Sequence, residues 1–324
     1  MNILVTGGWG FIGHNVVKRL CEQGHEVIVV DNKTTYGVTL QSELDYLING
    51  RLQKLQGFHP AVYNCDITDR EKVETIFNIE QPEIVIHLAS FPRQKVVKNN
   101  PQYGSRVMIE GLINLLEASD LYEVRKFVHI SSSMVYGDFA DNTKEDAPCN
   151  PQGQYGIMKY TGELLVRDYT RRTNIAHTII RPSAVYGPLD VTDRVVSKFI
   201  VEAMNDGILD VNGANEMLDF TYVDDIADGI VGAALSDNTD NKTYNITRGR
   251  SQSLLDAANT VINLVGKGSV NIRDKSLDFP SRGMLSIENA QKDFGYTPKI
   301  DIEEGFKKYY EWLQDTILWS KPTI

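Results

Sequence analysis

Cysteine is scarce: Cys21, Cys65 and Cys149 are the only three in 324 residues, odd in number and far apart. No pair has metal-ligand spacing, and buried thiols in a reducing compartment are expected rather than disulfides. No apolar run approaches the roughly 18 residues of a membrane span, so no membrane partner is expected. Basic residues are outnumbered: 33 Lys and Arg against 43 Asp and Glu give a net charge of −10, which argues against a general nucleic-acid binder. Internal repeats and low-complexity tracts are missing too. The chain opens directly on a strand pattern, which predicts no signal peptide and a cytoplasmic, soluble protein. At 42% hydrophobic and 23% charged, the composition is that of a globular protein, long enough for a large domain and a second lobe.

What is present begins at the N-terminus. Ile3-Leu4-Val5 is a short apolar, β-branched run. Thr6-Gly7-Gly8-Trp9-Gly10-Phe11-Ile12-Gly13 follows, then apolar residues at 11, 12, 16, 17, 20 and 21, the period of an amphipathic helix. Glu26 to Val30 reads as a second strand, with Asp31 at its end and Asn32 beside it. Strand, glycine turn, helix, strand and terminal acid in that order point to a dinucleotide. Gly7, Gly10 and Gly13 let the backbone turn sharply, approach a pyrophosphate and pack helix on strand. The helix start at Phe11 and Ile12 offers unpaired N–H groups to that pyrophosphate. Asp31 would accept the ribose hydroxyls and repel a 2′-phosphate, favouring NAD over NADP.

Alternation of strand and helix continues to residue 182 and predicts a Rossmann-type, doubly wound parallel sheet of α/β class. Strands are expected over 61–67, 83–90, 126–131 and 176–182, with helices over 41–55, 99–119 and 154–174. Asp66 and Ile67 end the third strand, beside the glycine turn. They would take the adenine ring, or Asp66 would cap the following helix. Leu88, Ala89 and Ser90 end the fourth strand, where small residues let a cofactor lie close to backbone. His87 just before them fits a satisfied core histidine better than a catalyst. Beyond 182 the pattern becomes α+β. Residues 1–182 with parts of 215–246 are expected to bind the dinucleotide. Residues 183–214 and 247–324 would form a smaller α+β substrate lobe over the strand ends.

Tyr155 and Lys159 stand four apart on a predicted helix, so phenol and ammonium share one face. The cation should lower the tyrosine pKa, and such a tyrosine can serve as general base and acid toward a hydroxyl. A serine cluster, Ser131-Ser132-Ser133, precedes them at the end of the fifth strand.

In order along the chain, T-G-G-x-G-F-I-G, the Asp31 strand end, H-L-A-S, S-S-S-x-V-Y-G, Y-x-x-x-K, R-P-x-x-V-Y-G-P and D-F-x-Y-V-D-D-I together resemble the extended short-chain dehydrogenase/reductases, in their nucleotide-sugar epimerase/dehydratase branch. The resemblance spans nearly the whole chain. It implies Tyr155, Lys159 and Ser132 as catalytic residues, Tyr155 and Lys159 also touching NAD, and a nucleotide-sugar substrate contacted by Ser132, Ser133 and Tyr155. Dehydratases of the branch carry Asp-Glu where this chain has Ser133-Met134, and neither can do that acid–base work. The resemblance is therefore nearest to UDP-hexose 4-epimerases, with no metal. Two family positions differ: Leu218 replaces an arginine that grips the diphosphate, and Ala184 replaces an asparagine. They keep open a dehydrogenase or reductase of the same fold. Arg282 matches a second diphosphate arginine. Arg93 and Arg194 would contact substrate, or be solvated surface. The family's pairing of helices 99–119 and 154–174, with Met108 and Tyr169 outside the main core stripe, implies a homodimer.

Overall fold

The computed structural model describes residues 1–34, 39–276 and 279–316, so the end of the expected second lobe, 317–324, lies outside it. The first six strands are β1 (Asn2–Thr6), β2 (Glu26–Asp31), β3 (Ala61–Asn64), β4 (Ile84–His87), β5 (Lys126–Ile130) and β6 (Ala176–Pro182). They are followed by β7 (Val185–Tyr186), β8 (Ile208–Asn212), β9 (Met217–Leu218), β10 (Thr221–Tyr222) and β11 (Lys242–Ile246). Seven of them form one sheet in the order β11-β6-β5-β4-β1-β2-β3, and every pairing in it is parallel. The order reverses between β1 and β4, and that switch point is where open α/β sheets leave a crevice at the strand ends.

Both faces of the sheet are covered, which is why its inner strands are apolar without alternation. Helices α1 (Gly13–Glu22) and α2 (Gln41–Gln53) follow β1 and β2, and α3 (Arg70–Glu80) follows β3. Val16, Val17 and Leu20 of α1 join one core with Ile3 and Val5; Val73, Ile76 and Phe77 of α3 join the opposite core with Leu4 and Val85. A third core, built on Phe199, Leu218, Phe220, Val261 and Phe306, belongs to the later part of the chain.

The helix expected over 99–119 is divided. Helix α4 (Gln94–Asn99) stops, and α5 (Pro101–Ser105) starts at a proline whose missing N–H is harmless only in a first turn. Asn100 lies outside helical geometry, as a residue before proline must, and its side chain accepts the Tyr103 N–H. A π turn over Arg106–Glu110 then leads into α6 (Gly111–Leu121). Met108 faces inward within that turn and is buried in the monomer core, contrary to the outward position expected of it. Tyr169, on α7 (Gly153–Arg172), also packs against this core.

One clamp fastens the loop after β7 to the sheet domain. Arg51, at the end of α2, is only 4% exposed. Its Nη1 donates to the Trp9 carbonyl at 2.9 Å and its Nη2 to the Leu189 carbonyl at 2.7 Å. Two turns earlier, Glu43 accepts the backbone N–H and the hydroxyl of Thr192, both at 2.9 Å. Burial pulls the Arg51 guanidinium down to about 10, against the pull of Asp190 and Asp31. Replacing Arg51 by methionine removes these donors and strands two buried carbonyls. We expect a loss of about 3 kcal/mol, seen as a Tm lower by several degrees in thermal unfolding. A parent-like Tm would show that the clamp carries no load.

Candidate active site at the strand ends

A cavity of about 400 Å³ lies at the switch point, and each of the cofactor and substrate residues expected from the sequence lines it. The glycine turn forms one end. Gly7 has φ +70°, and a Cβ there would sit 2.8 Å from the Ala89 nitrogen; a Cβ on Gly13 would sit 2.1 Å from the Gly7 carbonyl oxygen. No side chain fits, so backbone N–H groups at the start of α1 face the cavity directly. Leu88, Ala89 and Ser90 form the facing wall. Asp31 closes the β2 side: its two oxygens accept the N–H groups of Trp9 at 3.0 Å and Lys33 at 2.7 Å. Burial raises its pKa, opposed by those two donors and by Arg51. Asp66 does not cap α3; Asp69 does, accepting the Lys72 N–H. Asp66 instead accepts from Thr68, from Asn32 Nδ2 at 2.9 Å and from Tyr103 Oη at 3.2 Å. Burial raises its pKa, but these bonds outweigh it and hold the carboxylate below its ordinary range. Ile67 lines the same end. A glycine cradle with an acid at the end of β2 fits a dinucleotide on its own geometry.

Tyr155, Lys159 and Ser132 meet at the other end. Helix α7 is started by a residue far away in sequence: Gln94 Oε1 accepts the Tyr155 N–H at 3.0 Å. Lys159 Nζ donates to the Ile130 carbonyl at 2.8 Å and lies 5.9 Å from the Tyr155 ring centroid. Among the described residues that carbonyl is its one hydrogen-bond acceptor, which leaves two N–H groups for a ligand. Ser132 sits at the end of β5, its Oγ accepting the Met134 N–H at 3.2 Å.

The tyrosine pKa differs from the expectation. Burial raises it, while Arg194 and a hydrogen bond with Ser132 pull the other way. Burial also brings Lys159 down to about 7, with Glu163 opposing. Burial is the largest cause of both shifts, and the Lys159 charge is not among the causes that act on Tyr155. His87 is a core residue: its Nδ1 lies 2.8 Å from Thr6 Oγ1, it stacks on His129, and burial with the Lys159 charge lowers it to about 3.

Of the three arginines expected to contact substrate, two already face carboxylates of this chain. Arg93 meets Asp193 twice, at its carbonyl (2.6 Å) and its carboxylate (2.8 Å). Arg194 lies 3.6 Å from Asp190, a buried carboxyl whose pKa burial raises. Arg282 differs: burial lowers it to about 10, and no carboxylate pairs with it among the described residues. Leu218 turns into the third core, away from the cavity. Ala184 lines the cavity with φ +37°, a left-handed geometry that asparagine would adopt more easily. Ser133 donates to or accepts from Ser183 at 3.2 Å. Sequence reasoning missed Gln94, Arg51 and Asp190. No periodicity or motif marks them; Gln94 and Arg51 act through partners distant in sequence, and Asp190 is recognisable only once its burial is known.

A family model described as the NAD dependent epimerase/dehydratase family matches residues 3–247. A UDP-glucuronate 4-epimerase of Thermodesulfobacterium geofontis is 30% identical, over 97% of this chain and 96% of that protein. Among solved structures, a UDP-glucose 4-epimerase from Thermotoga maritima with UDP-glucose aligns at TM-score 0.86 and 30% identity, covering 97% of this chain and 99% of that one. A UDP-glucuronic acid 4-epimerase from Bacillus cereus, in complex with UDP-glucuronic acid and NAD, aligns at TM-score 0.89 and 28% identity, covering 97% and 99%.

The Gly13 contact yields a direct test. In Gly13→Ala the new methyl meets backbone, which cannot move aside as a flexible side chain would. The purified variant should lose bound NAD, read from its absorbance at 260 nm against 280 nm and from the extracted nucleotide. Parent-like NAD content would mean that the turn is not the cradle.

Proposed function

The chain belongs to the NAD-dependent epimerase/dehydratase family, and from that premise we propose that it inverts C4 of a UDP-sugar through a transient 4-keto sugar. The observation that carries this reading is one set of side chains on one wall. Tyr155, Lys159 and Ser132 converge there, and Ser133 and Met134 stand next to Ser132 where elimination of water would need an acid and a base.

Tyr155 takes the proton from the C4 hydroxyl and later returns it. Ser132 holds the tyrosine hydroxyl and the sugar oxygen in line. Lys159, when protonated, favours the phenolate and donates its remaining N–H groups to the nicotinamide ribose. The Gly7–Gly13 turn, Asp31, Asn32, Asp66 and Ile67 hold the adenosine and pyrophosphate side. NAD, when bound, supplies the acceptor that takes the C4 hydride and gives it back to the other face. Leu218 is out of reach of the cavity, so Arg282, half-buried and without a carboxylate partner among the described residues, is the cation for the diphosphate; a guanidinium suits a bidentate phosphate contact. Arg93 and Arg194, tied to Asp193 and Asp190, shape the sugar end.

The homodimer rests on other residues than Met108. Ile157 and Leu164 are each 49% exposed and seven residues apart on α7, an apolar stripe that a second copy would cover. Sedimentation at the mass of one chain would remove that assignment.

The reaction is tested by incubating the purified protein, without added NAD, in D₂O with UDP-glucose, UDP-N-acetylglucosamine, UDP-glucuronate and UDP-xylose. We expect one of them to yield its C4 epimer with no deuterium gained. Tyr155→Phe should lower that rate by about a thousandfold. Deuterium in the product, loss of water, or no conversion by NAD-bound protein would each reject the reading.

A further inference from the structure

Three consecutive residues, Ile130 at the end of β5 and Ser131 and Ser132 after it, face α7, and the first two are fastened to successive turns of it. Ile130 accepts from Lys159 through its carbonyl at 2.8 Å. Ser131 Oγ donates to Glu163 Oε1 at 2.6 Å. Ser132 lines the same cavity wall as Tyr155. The helix residues are spaced by four, 155, 159 and 163, so they form one stripe facing the strand end. Two of the three are the proposed catalytic groups.

Glu163 is fully buried, as is the arginine it meets. Arg181, on β6, donates from Nε to Glu163 Oε1 at 2.8 Å and from Nη2 to Oε2 at 2.6 Å, a fork-to-fork pair. Its Nη1 donates to Tyr136 Oη at 2.8 Å and to the Glu145 carbonyl at 3.0 Å. Arg167 reaches Glu163 Oε2 at 3.2 Å from the more exposed side. A buried ion pair costs desolvation and by itself adds little stability, so hydrophobic residues could fill the same space at no loss. What they could not do is accept the Ser131 hydroxyl and hold a fixed negative charge one turn beyond Lys159. The other titratable groups against Lys159, His87 on β4 and His129 on β5, are both kept neutral by burial.

We infer that Glu163 is a positioning residue of the active site, which, oriented by Arg181 and acting through Ser131, fixes the Ile130–Ser132 strand end against Tyr155 and Lys159. A role in stability alone would need only the Arg181 pair. Positioning needs the Ser131 bond as well, and that bond can be cut without touching the charges.

Two charge-conserving variants make the test. Ser131→Ala removes the hydroxyl and leaves the Glu163–Arg181 pair intact. Glu163→Asp keeps the charge but is too short to reach Ser131 and Arg181 together. The decisive readout is the titration of Tyr155 in the NAD-bound protein, taken as phenolate absorbance minus that of Tyr155→Phe. We expect the Tyr155 titration in both variants to move to higher pH by about one unit. If the proposed epimerisation holds, kcat should also fall by about tenfold or more, with KM moved by less than about threefold. An unmoved Tyr155 titration in Ser131→Ala overturns the inference, even where Tm falls. The rate measurement alone depends on the 4-epimerase reading. Should the parent epimerise no UDP-sugar, that reading fails, and the titration still decides the role of Glu163.

Discussion

Every strand of the seven-stranded sheet runs the same way, so every strand end arrives at one edge. That constraint organises the molecule. The glycine turn, Asp31, the Leu88–Ser90 segment, the serine cluster and the loop after β6 are scattered over nearly 200 residues of sequence. They become neighbours because parallel strands leave them no other place. The reversal of order between β1 and β4 then opens the gap that a ligand needs. The later part of the chain adds little to the sheet beyond β11. Its own core carries Leu218 and Phe306, and it lends the cavity Asp190, Arg194, Phe279 and Arg282.

An edge of this kind collects charge in a place that water reaches poorly. Burial lowers Arg51, Lys159 and Arg282 and raises Asp31 and Asp190. Where the structure must stay put, each charge is saturated. Arg51 spends its donors on two carbonyls, and Glu163 and Arg181 satisfy each other through two bonds. Where a ligand must come, valence is left over. Lys159 has one acceptor, and Arg282 lacks a carboxylate among the described residues. A group desolvated without a full set of partners costs free energy, and a ligand that supplies the missing partners recovers that cost on binding.

The sequence was most legible where a local rule dictates chemistry. Glycines at 7, 10 and 13 ahead of an apolar helix period, an acid at the end of β2, and a tyrosine four residues before a lysine needed no knowledge of the fold. It was least legible where a residue works through a distant partner. Gln94 starts a helix 60 residues on, and Arg51 clasps a loop beyond residue 180. Pro101 fits a helix start, since proline belongs in a first turn and α5 begins there; the π turn over Arg106–Glu110 that divides the span to 119 carries no such mark in the sequence. Arg93 and Arg194 show a different limit. A cation in sequence is a formal charge; only the fold reveals that Asp193 and Asp190 answer it.

Two buried lysines show what separates a structural charge from one with work to do. Lys126, at the opposite edge of the sheet, donates to the Ser236 carbonyl at 2.6 Å, to Thr239 Oγ1 at 2.8 Å and meets Asp240 at 2.8 Å. Two hydrogen bonds hold its ammonium, and Asp240 neutralises its charge. Lys159 is equally shut in but holds one carbonyl, and its nearest carboxylate, Glu163, is already forked by Arg181. The two residues have the same chemistry and similar burial. The difference is unsatisfied hydrogen-bonding capacity aimed into a cavity. That capacity cannot be read from either lysine's sequence neighbourhood. It follows from the geometry at the end of β5, which presents the Ile130 carbonyl to Lys159 and the Ser131 hydroxyl to Glu163, one turn apart on α7.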